Sequence, residues 1–231
     1  NYIRIFSDAT FTHALVFTAL FTVVSVLTIN VFAFAIAMLL TKGIRGTNLF
    51  RTVFFMPNLI GGIVLGYIWQ ILLNGILANF GKTLTYSGTY GFWGLVILMN
   101  WQQIGYMMII YIAGIQNIPG ELIEAAKIDG ANKFVQLFRI TVPLSAPMLL
   151  YNLITLLITN LQFSGTLTFA PNMGAGYDNS TLFLGVKIYN EAFRRLNIGY
   201  AAALSWVLLI ITAIFTAITF KINKVTDNGA Y

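Results

Sequence analysis

The chain has 231 residues, of which 58% are hydrophobic and only 9% are charged, and its formal net charge is +6. Soluble domains carry charge on about a quarter of their residues, so this composition excludes a water-soluble globule and predicts an integral membrane protein. The sequence has no cysteine, which excludes disulfides and thiol chemistry, and its single histidine, His13, argues against a histidine-based metal site. The positive charges form no basic run, so they do not indicate nucleic-acid binding.

Five segments are apolar over about 20 residues, the length that crosses a bilayer as a helix. The second contains Pro57 and the pair Gly61-Gly62, which predicts a kink or close packing by small residues. We therefore predict an all-α fold, a polytopic transmembrane helix bundle in one domain that covers residues 1–231. Its spans are predicted at residues 15–40, 53–73, 92–115, 143–163 and 199–220.

The basic residues indicate the orientation of the bundle. If all five spans are real, one side holds most of them: Lys42, Arg45, Arg51, Lys127, Lys133, Arg139, Lys221 and Lys224. The positive-inside rule makes that side cytoplasmic, with the N-terminus outside. Residues 116–143 then form a cytoplasmic loop. Residues 164–198 form an external loop, in which we predict a helix from about Leu182 to Arg195.

The cytoplasmic loop concentrates charge, and a structureless loop of this length is uncommon. Pro119 suits the first position of a short helix, Glu121 then lies in its first turn, and Gly130 suits a left-handed end. Asn132 could cap a second short helix with an apolar stripe. These helices could rest on the membrane surface or dock into another protein. Small residues at the centre of the first helix permit close approach and favour docking. The apolar stripe of the second consists of Phe134, Leu137 and Phe138.

The same loop carries a family resemblance. Glu124-Ala125-Ala126 is followed after three residues by Gly130, after nine more by Ile140, and after one more by Val142-Pro143. This spacing resembles the EAA loop of binding-protein-dependent ABC importer permeases, with Val142 in place of the usual leucine. The segments NYIRIFSD, FRTVFFMPNLIGGIVLGYIW and LNIGYAAALSW resemble the maltose-type carbohydrate permeases, so the resemblance covers nearly the whole chain. Because that family usually has six spans, we expect a further first span upstream of Asn1.

The resemblance implies a type I ABC importer permease fold in the bacterial cytoplasmic membrane. The implied partners are a second homologous permease, which would form a heterodimer with this chain, two cytoplasmic ATPase subunits and an extracytoplasmic solute-binding protein. ATP and Mg would be bound by the ATPase subunits, and no cofactor by this chain. The loop would be a coupling helix that enters a groove on an ATPase and drives alternating access. Its implied coupling residues are Glu121, Glu124, Ala125, Ala126, Asp129 and Gly130.

The chain is not expected to hydrolyse ATP itself. The stretch from Gly75 to Gly81, followed by Lys82 and Thr83, has five residues between its glycines, whereas a P-loop has four. A membrane-embedded enzyme would require a dense set of buried acidic, histidine or serine groups, which the spans do not offer. A passive channel or a membrane anchor would leave the EAA spacing unexplained.

Polar residues inside spans are costly and usually face a bundle interior or a water-filled path. In the fourth span, steps of three, four and three residues place four of them on one helical face. Uncharged amides and hydroxyls suit a sugar, although an amino acid or a polyol phosphate remains an alternative solute, and the same groups could instead bond helix to helix. The candidate pathway residues are Asn100, Gln103 and Tyr106, with nearby Gln102, on the third span, and Asn152, Thr155, Thr159 and Gln162 on the fourth.

Overall fold

The computed structural model describes residues 1–84, 87–163 and 175–228, and within these ranges it contains helices and turns but no strand. Short 3₁₀ turns lie at Met56–Leu59 and Tyr177–Asn179, and π-helical turns lie at Leu137–Thr141 and Asn190–Arg194. In chain order the α-helices are α1 (Tyr2–Phe6), α2 (Ala9–Leu40), α3 (Thr47–Phe55), α4 (Gly62–Ala78), α5 (Gly88–Gln116), α6 (Gly120–Ile128), α7 (Lys133–Gln136), α8 (Val142–Leu144), α9 (Ala146–Leu161), α10 (Leu184–Tyr189) and α11 (Ile198–Asn228).

Among the described residues, three helices are each long and apolar enough to cross a membrane: α2, α5 and α11. The predicted segments 15–40, 92–115 and 199–220 fall within them. Helix α2 is apolar without an internal glycine or proline, and the Asp8 side chain caps it by accepting a hydrogen bond from the Thr10 backbone N–H at 2.9 Å. Its long apolar run therefore continues as one unbroken helix.

The other two predicted spans are bent. Thr47–Leu59 and Gly62–Ala78 meet at 101°, and Lys133–Leu144 and Ala146–Leu161 meet at 64°. At the first break Gly61 is extended, with ψ of 136°, after a turn that begins with Met56 and Pro57. The second break follows Pro143 and precedes Pro147. Proline has no N–H to donate, so the helical ladder is interrupted there. The predicted segments 53–73 and 143–163 are thus not straight helices.

The core forms where α2 runs beside α5 and α9, and α9 in turn contacts α11. The Phe21 ring lies 4.8 Å from the Phe183 ring, and Phe17 lies 5.0 Å from it, both edge to face. Further along α2, the Tyr111 hydroxyl donates to Asn30 Oδ1 at 2.6 Å. We name the two ends of the bundle after residues at the two ends of α2, the Asp8 end and the Lys42 end.

An ion pair between Lys187 and Asp8 joins helices at the Asp8 end. Lys187 Nζ lies 2.8 Å from Asp8 Oδ2, its side chain is only 4% exposed, and it also contacts Thr10 Oγ1. The Tyr200 hydroxyl donates to the same Asp8 oxygen at 2.8 Å. Burial alone would raise the pKa of Asp8, but the hydrogen bonds from Lys187, Thr10 and Tyr200 outweigh it and hold that pKa well below its usual range. This contact joins the starts of α2 and α11 to α10.

The predicted external helix at about 182–195 corresponds to α10 and the π-helical turn after it. Glu191 is buried there, accepting from Arg195 Nη1 at 2.6 Å and from Asn197 Nδ2 at 3.0 Å. The earlier part of the predicted external loop, residues 164–174, lies outside the described residues.

Candidate functional site

Helix α6 is a short, well-defined rod at the Lys42 end. Pro119 is its N-cap rather than its first residue, Glu121 lies in its first turn and Lys127 in its last, an order that complements the helix dipole. Gly130 has a φ of +79°, which permits a compact C-terminal closure. The Ala131 N–H donates to the Ala126 carbonyl at 2.8 Å and the Gly130 N–H to the Lys127 carbonyl at 3.1 Å. This pair of bonds is the Schellman arrangement, and it ends the helix sharply.

The two faces of α6 have different environments. Ile123 and Lys127, four residues apart, face a cavity towards α2 and α5. Glu124 and Ala125 are exposed on the outer side, and Ile128 there is 87% exposed. An exposed apolar side chain between acidic groups is a surface that another protein can cover. Of the predicted coupling residues, Glu121, Asp129 and Gly130 are exposed as well, whereas Ala126 is half-buried.

The start of α7 is fixed by the side chain of the residue that precedes it. Asn132 Oδ1 accepts from the Val135 N–H at 2.9 Å and caps α7. The loop thus consists of short capped helices joined by tight turns. It connects directly to α5 on one side and to α9 on the other.

A cavity of about 490 Å³ opens between α5, α9 and the start of α4. It brings together three of the predicted pathway residues, Gln103, Thr159 and Gln162, and adds Gln102. No described residue that lines it is ionisable. The other lining residues are Gly62, Ile63, Met99, Ile158 and Phe163. The cavity can therefore offer amide and hydroxyl hydrogen bonds beside apolar surface, without a fixed charge.

The break before α4 shapes one wall of this cavity, a role that the sequence did not predict. Asn58 Nδ2 donates to Gln103 Oε1 at 3.3 Å, and Gln102 Nε2 donates to the Ile60 carbonyl at 3.5 Å. The close approach of this segment to α5 depends on Gly105, because a Cβ at position 105 would lie 1.8 Å from the Phe54 carbonyl oxygen. The glycine in α5 lets the backbone of α3 lie directly against it.

The remaining predicted pathway residues do not line this cavity. Asn100 donates to Thr28 Oγ1 at 2.9 Å, and Asn152, fully buried, donates to the Met107 carbonyl at 3.3 Å. Both join helices to each other. The Tyr106 and Tyr151 hydroxyls lie 3.2 Å apart, nearer the Lys42 end, and the Thr155 carbonyl accepts from the Thr159 hydroxyl at 2.8 Å. Helical spacing placed these side chains on faces but could not say which neighbour covers each face.

Comparison with known proteins agrees with this architecture. The chain is 36% identical to a probable starch degradation products transport system permease protein, AmyD, of Thermoanaerobacterium thermosulfurigenes, over 97% of this chain and 79% of the relative. It is 32% identical to the diacetylchitobiose uptake system permease protein NgcF of Streptomyces coelicolor, over 99% of this chain and 71% of that one.

The fold matches a solved structure. A chain of a bacterial ABC transporter involved in the import of the acidic polysaccharide alginate superimposes with a TM-score of 0.74 at 18% identity, covering 99% of this chain and 82% of the other. Residues 19–229 match the family described as the binding-protein-dependent transport system inner membrane component. The chain belongs to this family of multi-pass inner-membrane transport proteins.

Proposed function

We propose that this chain is one of two permease subunits of an ATP-driven importer, and that it moves a neutral sugar or oligosaccharide across the cytoplasmic membrane by alternating access. The second permease is a homologous but different chain. Two ATPase subunits bind ATP and Mg on the cytoplasmic side, and a solute-binding protein delivers the sugar on the other. The observation that carries the proposal is that α6 follows α5 and precedes α9 in the chain. These two helices line the cavity of about 490 Å³, which we call the solute cavity.

The path from α6 to the cavity is short. Helix α5 ends at Gln116 and α6 begins at Gly120, so few residues are free to absorb a displacement. On the other side, α7, the π-helical turn and α8 lead into α9 with a single bend of 64°. Helix α5 carries Gln103, and α9 carries Thr159. A rigid-body movement of α6 would therefore change the distance between the two cavity walls.

The exposed face of α6 supports docking on an ATPase. Glu124, Ala125 and Ile128 lie on its outer side, where a complementary groove could cover them. Lys42 and the other basic residues near α6 support a cytoplasmic position for it by the positive-inside rule. The ATPase subunits would work on that side.

The cavity chemistry supports an uncharged solute. Gln102, Gln103 and Gln162 offer amide donors and acceptors for sugar hydroxyls, and Phe163 offers an apolar surface. The relatives named for starch degradation products and diacetylchitobiose point to the same class. Tyr106 does not line the cavity; its hydroxyl lies 3.2 Å from that of Tyr151, nearer the Lys42 end.

The coupling role can be tested by two substitutions in the complete importer. Glu124→Lys reverses a charge on the outer face, and Gly130→Pro removes a bonded N–H and cannot adopt a φ of +79°. We expect both variants to insert into the membrane but to lose sugar uptake and ATPase copurification. Gly81→Pro is the matched control, because Gly81 also has a positive φ, of +66°, but lies at the opposite end. Wild-type uptake by both coupling variants would contradict the proposal.

The solute class can be tested in proteoliposomes that contain the complete importer and its binding protein. A panel of a neutral oligosaccharide, an amino acid and a polyol phosphate should show ATP-dependent uptake of the oligosaccharide alone. Gln162→Ala should raise the KM for the oligosaccharide, whereas Gln70→Ala, on α4 and not among the cavity-lining residues, should not. Uptake of the phosphate ester in place of the sugar, or uptake without ATP, would refute the assignment.

A further inference from the structure

A second cavity, separate from the solute cavity, lies at the Lys42 end. Its volume is about 480 Å³, and it opens between the ends of α2 and α5 and the segment that contains α6 and α7. Much of its wall is apolar. The apolar side chains are Met38, Ile115, Ile118, Ile123, Phe134 and Leu137. A space of this size and character can hold part of a hydrocarbon chain.

Three exposed lysines also line this cavity: Lys42, Lys127 and Lys133. They come from three parts of the chain: Lys42 from the turn after α2, Lys127 from the last turn of α6 and Lys133 from the start of α7. Within the part of the chain that the structure describes, none of them has a carboxylate within 4.0 Å. None of the described lining residues is acidic. Three like charges around one opening repel each other, and an anion placed between them would remove that repulsion.

The surroundings of the cavity indicate where such an anion would come from. The cavity lies where two membrane-spanning helices end, on the side that the basic residues mark as cytoplasmic. Next to it the exposed rings of Phe134 and Phe138 stack at 6.1 Å, followed by Arg139. Exposed aromatic rings flanked by basic residues are typical of a helix that lies in the headgroup region of a bilayer. A cavity in this position would be accessible to a lipid of the cytoplasmic leaflet.

We propose that this cavity binds an anionic phospholipid of the cytoplasmic leaflet. Its phosphate would lie among Lys42, Lys127 and Lys133, and one acyl chain would lie against the apolar wall. Basic pockets between spans on the cytoplasmic side are suited to such headgroups. Because the site includes both the end of α2 and α6, a bound lipid would hold the loop against the bundle.

The test is lipid binding to the complete importer, measured by native mass spectrometry with phosphatidylglycerol and with phosphatidylcholine. The wild type should retain phosphatidylglycerol in preference. Lys42→Gln with Lys133→Gln should weaken that retention by about fivefold per lysine, or about 25-fold together. Lys127 is left unchanged because it belongs to α6. The matched control is Arg45→Gln with Lys221→Gln, which removes two basic residues that do not line the cavity and should retain the lipid.

Three results would overturn the proposal. One is equal retention of phosphatidylglycerol by the lysine variant and the wild type. Another is displacement of the lipid by inorganic phosphate alone, which would make this a free-phosphate site. The third is loss of the ATPase subunits from the lysine variant in phosphatidylcholine, which would show that the lysines contact the ATPase. Because binding is read without transport, failure here is distinct from failure of the proposed import function.

Discussion

Gly105→Ala tests whether the close approach of α3 to α5 holds the solute cavity in shape. A Cβ at position 105 would lie 1.8 Å from the Phe54 carbonyl oxygen, 2.3 Å from the Phe54 carbonyl carbon and 2.8 Å from the Phe55 nitrogen. All three are backbone atoms, so no side-chain rotation can relieve the overlap. An ordinary contact of 3.4 Å to the oxygen would require α3 to move away by about 1.6 Å.

Overpacking of this kind costs about 1–3 kcal/mol and occasionally more, and a clash with backbone belongs at the upper end. The movement would also carry Asn58 away from Gln103, whose side chains are 3.3 Å apart. We therefore expect Gly105→Ala to lower the free energy of unfolding of the purified importer by about 1–3 kcal/mol and to reduce sugar uptake.

The separation of residues 58 and 103 can be tested directly by cysteine cross-linking, because the chain contains no cysteine of its own. With Asn58→Cys and Gln103→Cys in place, a short bis-maleimide should cross-link the two positions efficiently, and adding Gly105→Ala should lower the yield. Gly75→Ala is the matched control, since a Cβ at position 75 in α4 meets nothing within 4 Å. If Gly105→Ala equalled Gly75→Ala in stability, uptake and cross-linking, the contact between α3 and α5 would not determine the shape of the solute cavity.

Three further predictions concern polar contacts in the bundle. Lys187→Met leaves the Asp8 carboxylate without its cation. Because that carboxylate is 23% exposed, the loss should cost about 1.5–3 kcal/mol in thermal unfolding of the importer, whereas exposed Arg194→Met should change little. Because the pKa of Asp8 is held below its ordinary 3.8, the stability it provides is complete above that pH and is lost as the pH falls further; Asp8→Asn should abolish this acid-dependent loss. Tyr111→Phe leaves buried Asn30 without its hydroxyl donor and should cost about 1–2 kcal/mol by the same unfolding measurement; an unchanged melting temperature would contradict it.

Much of the fold was predictable because it depends on long apolar runs and local end signals. Helix α2 follows from an apolar segment without breakers, and the end of α6 follows from Gly130, whose φ of +79° few other residues adopt readily. The cap on α7 follows from Asn132 by the same local logic. The sequence also marked Pro57 and Gly61-Gly62 as a weak point. It could not give the 101° angle, which depends on how α3 packs against α5.

The parts of the site that were missed depend on contacts between distant positions. Asn58 bonds Gln103, 45 residues away, and Lys187 pairs with Asp8 across most of the chain. No local pattern reports such pairings. For Asn152, helical spacing correctly predicted a position on a polar face. It could not predict that α5 covers this face.

The bend before α4 has a consequence for assembly in the cell. Helix α4 buries only Leu65 and Gly66, and it leaves a broad apolar surface open along its length, including Ile63, Val64, Tyr67 and Ile71. Lipid tails are as apolar as these side chains, so contact with lipid alone does not favour one orientation of α4 over another. In a subunit synthesised without a partner permease, no neighbouring protein would hold α4 in place, and α4 would be accessible to membrane proteases. In the importer proposed above, the supply of the second permease would then set how much of this chain survives.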